Sequence, residues 1–271
     1  MTDIKLVVMD MDGTLLTSDK TISDYTKNFL KKLSIEGYKL GIASGRPIIG
    51  LKRTVAALGI EAYINFMTGS NGAELYDVDR NKENCFYQLE PNIIDEIINL
   101  YKPFDLNPCV YQGDNCYAYK SDSTIERAAN NNHLGIVLCN LKEEIKTPQS
   151  KLVLSTPPEK MKQVEAFYEQ HKSEEKYRGF KSQADMFEFV HPKLSKVYGI
   201  AYYCKQHGHT IEEVAAFGDT TNDIEMIREC GIGICMCNGT KDAQDAADII
   251  TKYNNDEDGL ARELQNILNC V

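Results

Sequence analysis

The apolar run Leu6 to Met9 stops at two aspartates one residue apart, Asp10 and Asp12, and Gly13 and Thr14 follow directly. An unbroken apolar stretch ending in turn chemistry suits a strand buried on both faces, the kind found in parallel sheets covered by helices. Open α/β sheets bind their ligands outside the carboxyl ends of the strands, so both carboxylates open into a crevice. Side chains two apart in an extended chain start on the same side, which crowds the two acids into one small volume. Like charges that close raise each other's pKa unless a cation or a shared proton relieves them. Asp-Gly is also ordinary turn chemistry, but a turn asks nothing of the preceding aspartate.

The segments that follow repeat the strand–helix pattern. Thr21 or Ser23 can cap a helix carrying Phe29, Leu30 and Leu33 on one face, closed by Gly37. Tyr38 to Ala43 reads as a strand, and Pro47 opens a second helix with Ile48, Leu51, Val55 and Leu58 as its buried stripe before Gly59. Ala62 to Met67 reads as a third strand, and Asn71-Gly72 as a two-residue type I′ turn into Ala73 to Tyr76. This alternation is the mark of a doubly wound α/β fold with a parallel sheet.

From about residue 80 the chain becomes a tyrosine-rich mixture of strands and helices: helix 91–100, paired strands in 109–119, helix 123–131, strand 152–155, helix 159–171 and strands near 178–190. Residues 82–189 therefore read as an inserted α+β domain, with 1–81 and 190–271 forming the core. The first pattern resumes with helix 196–206, ending at Gly208 in a loop where His207 and His209 flank that glycine. Strand 214–217, loop 218–223, a helix to Glu229 and strand 231–236 follow. The acidic stretch 254–258 reads as a solvated loop before a last helix.

Composition narrows the function. A formal charge of -10 argues against a nucleic acid partner, since binding a phosphate backbone depends on basic patches. No apolar run approaches the roughly 20 residues of a membrane helix, and no basic stretch leads into a signal-like segment, so the expectation is a cytoplasmic protein without a membrane partner. Nine cysteines would suggest a disulfide framework only in a short secreted chain. Cys230, Cys235 and Cys237 lack the paired spacing of a zinc site and read as structural thiols.

A second acidic segment, Gly218-Asp219-Thr220-Thr221-Asn222-Asp223, also follows an apolar strand and precedes a helix. Alone, Asp219 or Asp223 reads as a helix cap. Together with Asp10 and Asp12 they put four carboxylates at two strand ends of one sheet, and a hard divalent cation is the usual remedy for such repulsion. Magnesium fits best, because it takes one or two carboxylates and leaves positions to water and substrate phosphate. Ser44-Gly45, at the start of the second helix, offers a hydroxyl and backbone N–H groups to an anion. Lys196 can add a fixed positive charge, although a solitary lysine usually reads as solvated surface. A carboxylate nucleophile, a second carboxylate, a metal, an anion-binding turn and a lysine are what phosphoryl transfer requires.

The motifs resemble those of the haloacid dehalogenase superfamily of phosphatases, specifically its Cof-type members with a large α+β cap between the second and third motifs. Asp10-Met11-Asp12-Gly13-Thr14 matches the first motif, Ser44-Gly45-Arg46 the second, Lys196 the third and Gly218 to Asp223 the fourth; Gly239 to Gly259 is similar to the closing segment. The match covers roughly 1–80 and 190–271. The resemblance implies that Asp10 attacks phosphorus and binds magnesium. It implies that Asp12 acts as acid and then base while its backbone carbonyl binds the metal. It further makes Asp219 a metal ligand and Asp223 a ligand or its support. Ser44, Gly45, Lys196 and Asn222 would hold the phosphoryl group, with Arg46 and Asn71 at the mouth. The family usually has a glycine directly after the motif lysine. Here Val197 and Tyr198 precede Gly199, and Lys193 is the alternative if the register is offset.

The substrate so implied is a small phosphorylated metabolite, such as a sugar phosphate or phosphorylated cofactor, with the cap choosing among them. Tyr111, Tyr117 and Tyr119 could line such a pocket, although alternating aromatics in a strand more often serve sheet packing. Three alternatives stay open at this point: a phosphomutase or phosphotransferase on the same scaffold, a phosphorylatable signalling module, and a non-catalytic phosphate binder.

Overall fold

A computed structural model describes residues 3–268. The chain divides into two compact units, Met1–Asn84 with Ser195–Val271, and Cys85–Leu194.

The sheet of the first unit runs in the order Ile249–Ile250, Ile232–Cys235, Val214–Gly218, Leu6–Met9, Lys39–Ala43, Phe66–Gly69, Glu74–Asp77, Lys82–Cys85. It is parallel from its first strand through Phe66–Gly69, and Glu74–Asp77 then pairs antiparallel. Met9 lies opposite Phe217 on one side and Ile42 on the other, so the three chains leave the sheet in line at Asp10, Gly218-Asp219 and Ala43-Ser44. That register gathers three separate motifs at one edge.

Helices pack on this sheet through one continuous core that includes Met9, Leu30, Leu33, Ile42, Leu51, Val55, Phe217 and Leu264. Ser23 caps the helix Asp24–Ile35 by accepting the Thr26 N–H at 3.0 Å, which selects it over Thr21. Gly59 and Gly208 end the helices Ile48–Leu58 and Lys196–His207 in the left-handed conformation, at φ 64° and 75°.

Several expectations need correction. Glu61–Tyr63 is a 3-10 turn, and the third strand begins only at Phe66. Phe66 pairs with Gly41 and lays its ring where a Cβ on Gly41 would sit 2.2 Å away, so this contact sets the register. Gly69 pairs with Glu74, which makes the connection Ser70 to Ala73 four residues long rather than a two-residue turn. The 254–258 stretch is exposed at Asp256 and Glu257, as expected of a solvated loop, and is tied down as well: Asp256 accepts from the Ser18 N–H and hydroxyl at 2.7 Å and Asp258 from Thr26 at 2.8 Å.

The second unit is built on a sheet ordered Arg178–Gln183, Met186–Val190, Leu152–Ser155, Asn107–Gln112, Asn115–Ala118, Gly135–Leu138. All pairs are antiparallel except the last. Helices Pro91–Tyr101 and Pro158–His171 contribute Ile94, Ile97, Met161 and Val164 to a core with Val110, Leu152, Leu154, Phe187 and Phe189. A buried ion pair also lies in this unit: Lys151 reaches both Glu188 oxygens at 3.0 Å, and Ser182 donates to Glu188 at 2.9 Å. Tyr117 packs against the core and Tyr119 is exposed, while the Tyr111 ring lies 5.2 Å from the Lys151 ammonium.

The described cysteines are all free thiols. His207 bonds Asp77 at 2.8 Å and His209 bonds Glu213 at 3.0 Å, so each imidazole is engaged by a carboxylate.

Candidate active site

Lys196 is 1% exposed, and its ammonium donates to Asp10 Oδ1 and to Asp223 Oδ1, each at 2.5 Å. Asp10 comes from the end of Leu6–Met9, Asp223 from the turn after Val214–Gly218, and Lys196 from the first residue of its helix. Lys193, the alternative to Lys196, is exposed and stands over the Tyr87 ring. Gly199, three residues after Lys196, faces Thr68 so closely that a Cβ there would meet Thr68 Oγ1 at 2.1 Å. The glycine expected beside the lysine thus serves one helical turn later, letting the helix pack against Phe66–Gly69.

Asp219 completes the cluster. Asp10, Asp219 and Asp223, all buried, each offer a carboxylate oxygen within 4.8 Å of the others. Two small residues permit the crowding. Gly13 has φ +88°, and a Cβ on it would lie 2.4 Å from Asp219 Oδ2; a Cβ on Gly218 would lie 2.4 Å from that of Asp223. Thr14 donates to Asp219 Oδ1 at 2.9 Å. Asp223 Oδ2 accepts the N–H groups of Asp219 and Thr220, both at 3.0 Å.

Three buried acids against one ammonium leave an excess of negative charge. Burial pushes Asp10 well above the usual carboxylate range despite Lys196, and repulsion from Asp223 and Asp219 adds to it. Burial and the Asp223 charge lift Asp219 to about 6. For Lys196, burial favours the neutral form, but Asp10 and Asp223 outweigh it and hold its pKa above the ordinary lysine value. A compact set of hard oxygen donors with unbalanced charge fits a divalent cation such as magnesium.

The Asp12 carboxylate is outside this triad. Arg46 Nε donates to its Oδ2 at 2.7 Å and Nη2 to its Oδ1 at 2.8 Å, while Lys20 reaches Oδ1 at 2.8 Å. Burial alone would raise Asp12, but the two cations more than offset it and bring its carboxyl down to about 2.

The anion-binding turn differs from the expectation in one respect. The first helical amide, Ile48 N–H, already donates to Glu74 Oε2 at 2.6 Å, so the helix start is occupied by the protein's own carboxylate. Ser44 is buried, and its hydroxyl oxygen accepts the Arg46 N–H at 3.2 Å. Asn71 is 2% exposed, with its N–H on the Ser44 carbonyl at 3.1 Å. Ser70, Asn71 and Gly72 are consecutive left-handed residues at φ 48°, 55° and 97°. For each non-glycine such backbone costs roughly 1–2 kcal/mol. Asn222 donates from Nδ2 to Asn71 Oδ1 at 3.1 Å and accepts the Thr220 hydroxyl at 2.7 Å. Sequence reasoning passed over Thr14, Lys20 and Thr220. The first and last stood inside the motifs already singled out, whereas Lys20 had no signal beyond its charge.

A haloacid dehalogenase-like hydrolase family model matches residues 7–264. The chain is 24% identical over 264 residues, 96% of each protein, to the 5-amino-6-(5-phospho-D-ribitylamino)uracil phosphatase YitU of Bacillus subtilis. A solved haloacid dehalogenase-like hydrolase from Bacteroides thetaiotaomicron superposes with TM-score 0.84 at 28% identity, covering 97% of this chain and 99% of that one. The subclass IIB sugar phosphatase BT4131 superposes with TM-score 0.81 at 21% identity over 97% and 98%, a likeness of fold.

Proposed function

The chain belongs to the haloacid dehalogenase-like hydrolase family, and we propose that it is a magnesium-dependent phosphatase that cleaves small phosphate monoesters through an aspartyl phosphate on Asp10. The observation that carries this reading is the buried triad of Asp10, Asp219 and Asp223, restrained by Lys196. Such a set has no use in a packed core, where buried charge is costly, and suits a reaction that gathers negative charge around phosphorus.

In the first step an Asp10 oxygen bonds to phosphorus, the bond from phosphorus to the ester oxygen breaks, and the departing alkoxide takes a proton from Asp12. In the second, water gives its proton to Asp12 and attacks the phosphorus, and the bond from Asp10 to phosphorus breaks to release inorganic phosphate. The ionised Asp12 held by Arg46 and Lys20 is ready for the second step; to serve the first it must gain a proton, which requires those cations to loosen. Lys196, the Ser44 hydroxyl and the Asn222 amide are the donors for the phosphoryl oxygens, with Gly45 leaving room beside them. Asp10, Asp219, Asp223 and the Asp12 carbonyl would hold the magnesium ion, which when bound supplies positive charge against the phosphoryl oxygens.

The B. subtilis relative is named for a ribityl phosphate ester and the structural neighbour as a sugar phosphatase. Both names support a phosphate ester on a small hydroxylated carbon chain. A panel of phosphorylated metabolites assayed for phosphate release tests the reading. Release of inorganic phosphate without any added acceptor alcohol is expected; no release, with the phosphoryl group passing instead to the hydroxyl of an added acceptor, would make the enzyme a phosphotransferase.

A further inference from the structure

We propose that Asn71 is a positioning residue that acts through Asn222, fixing that amide so that one N–H faces the space beside Gly45 where a phosphoryl oxygen would lie. The inference rests on the phosphatase reading above and adds a residue and a role to it.

The geometry supplies three observations. First, the Asn222 carboxamide is held at both ends: its oxygen accepts from Thr220 Oγ1 at 2.7 Å, and its nitrogen donates to Asn71 Oδ1 at 3.1 Å. An amide bonded on one side through its oxygen and on the other through one N–H can neither flip nor swing, and its second N–H takes a fixed direction. Second, a Cβ on Gly45 would lie 3.4 and 3.6 Å from the Asn71 amide atoms and 3.8 Å from Asn222 Nδ2. The missing side chain at Gly45 therefore leaves a small space bordered by both amides. Third, Asn71 is buried, and the left-handed backbone of Ser70, Asn71 and Gly72 returns its N–H to the Ser44 carbonyl. Strained backbone of this kind persists where the surroundings over-determine it, commonly at functional sites. A substrate contact at an open mouth would not need a buried side chain spent on a second amide.

The test is a double-mutant cycle of Asn71→Gly, Asn222→Ala and the pair, with p-nitrophenyl phosphate and magnesium. Inhibition by inorganic phosphate serves as the readout of the phosphoryl site. Glycine tolerates the left-handed backbone, so Asn71→Gly removes the side chain while leaving the turn its conformation. Each single variant should weaken phosphate inhibition by about tenfold, the scale of one hydrogen bond, and the double variant should be no worse than Asn222→Ala alone. Thr220→Val, which frees the other end of the same amide, should show the same lack of additivity with Asn222→Ala and stands in if Asn71→Gly does not fold. Losses that multiply, or phosphate inhibition unchanged within twofold in Asn71→Gly, would overturn the inference. A wild-type enzyme that releases no phosphate from any ester would instead overturn the phosphatase reading.

Discussion

Arg46 grips both oxygens of Asp12, Nε on Oδ2 at 2.7 Å and Nη2 on Oδ1 at 2.8 Å. This fork, with Lys20 beside it, holds the Asp12 carboxyl at about 2, below its ordinary 3.8. An acid depressed on folding stabilises the folded state above its unfolded pKa and loses that contribution as pH falls toward the folded value. Arg46→Ala should therefore flatten the loss of stability between about pH 4 and 2, read as urea midpoints across that range. The Asp12 side chain is 36% exposed, so the difference should be small and should shrink further in high salt.

Asp219 shifts the other way, up to about 6, and Asp10 rises with it. Acids raised on folding favour the folded state below their unfolded pKa and cost stability as pH climbs through the raised value. Magnesium competes with those protons, so its stabilisation of the fold should be larger at pH 7.5 than at pH 5. A ligand at 100 times its Kd adds about 2.7 kcal/mol, readily seen as a rise in Tm. An equal rise at both pH values would argue against these carboxylates as the ligands.

Gly13→Ala should disable the site while leaving the sheet intact. The new Cβ would fall 2.4 Å from Asp219 Oδ2, on a residue at φ +88°. The expected cost in stability is about 1–3 kcal/mol, and the magnesium-induced rise in Tm should disappear. Circular dichroism together with thermal unfolding, with and without the ion, checks both parts.

Lys151→Met tests the second unit by itself. It would remove the Lys151 ammonium from the buried Glu188 carboxylate. Breaking a buried pair from one side costs about 3–5 kcal/mol, and adding Glu188→Leu should recover much of it. Denaturant unfolding of the single and double variants measures the difference.

The strand ends that carry the acids are readable because each acidic motif follows a short apolar run that suits a buried strand. Leu6 to Met9 delivers Asp10, and Val214 to Gly218 delivers Asp219. The 70–73 connection was misjudged because Asn71-Gly72 signals a tight turn, while nothing marks Ser70 as a third left-handed residue. Strand Lys82–Cys85 has no apolar alternation, so its pattern carried no strand signal. The capture of Ile48 N–H by Glu74 joins residues 26 apart in sequence, a pairing that strand register creates and local spacing does not show.

The most direct measurement is of the phosphoryl group on Asp10 itself. With p-nitrophenyl phosphate the leaving group needs no proton, so Asp12→Asn should still be phosphorylated yet lack the base for hydrolysis. Acid-quenched Asp12→Asn, analysed by peptide mass spectrometry, should carry one phosphoryl group on Asp10. Steady release of phosphate by the wild-type enzyme, with no phosphoryl group on Asp10 in the quenched variant or with the group on another residue, would contradict it.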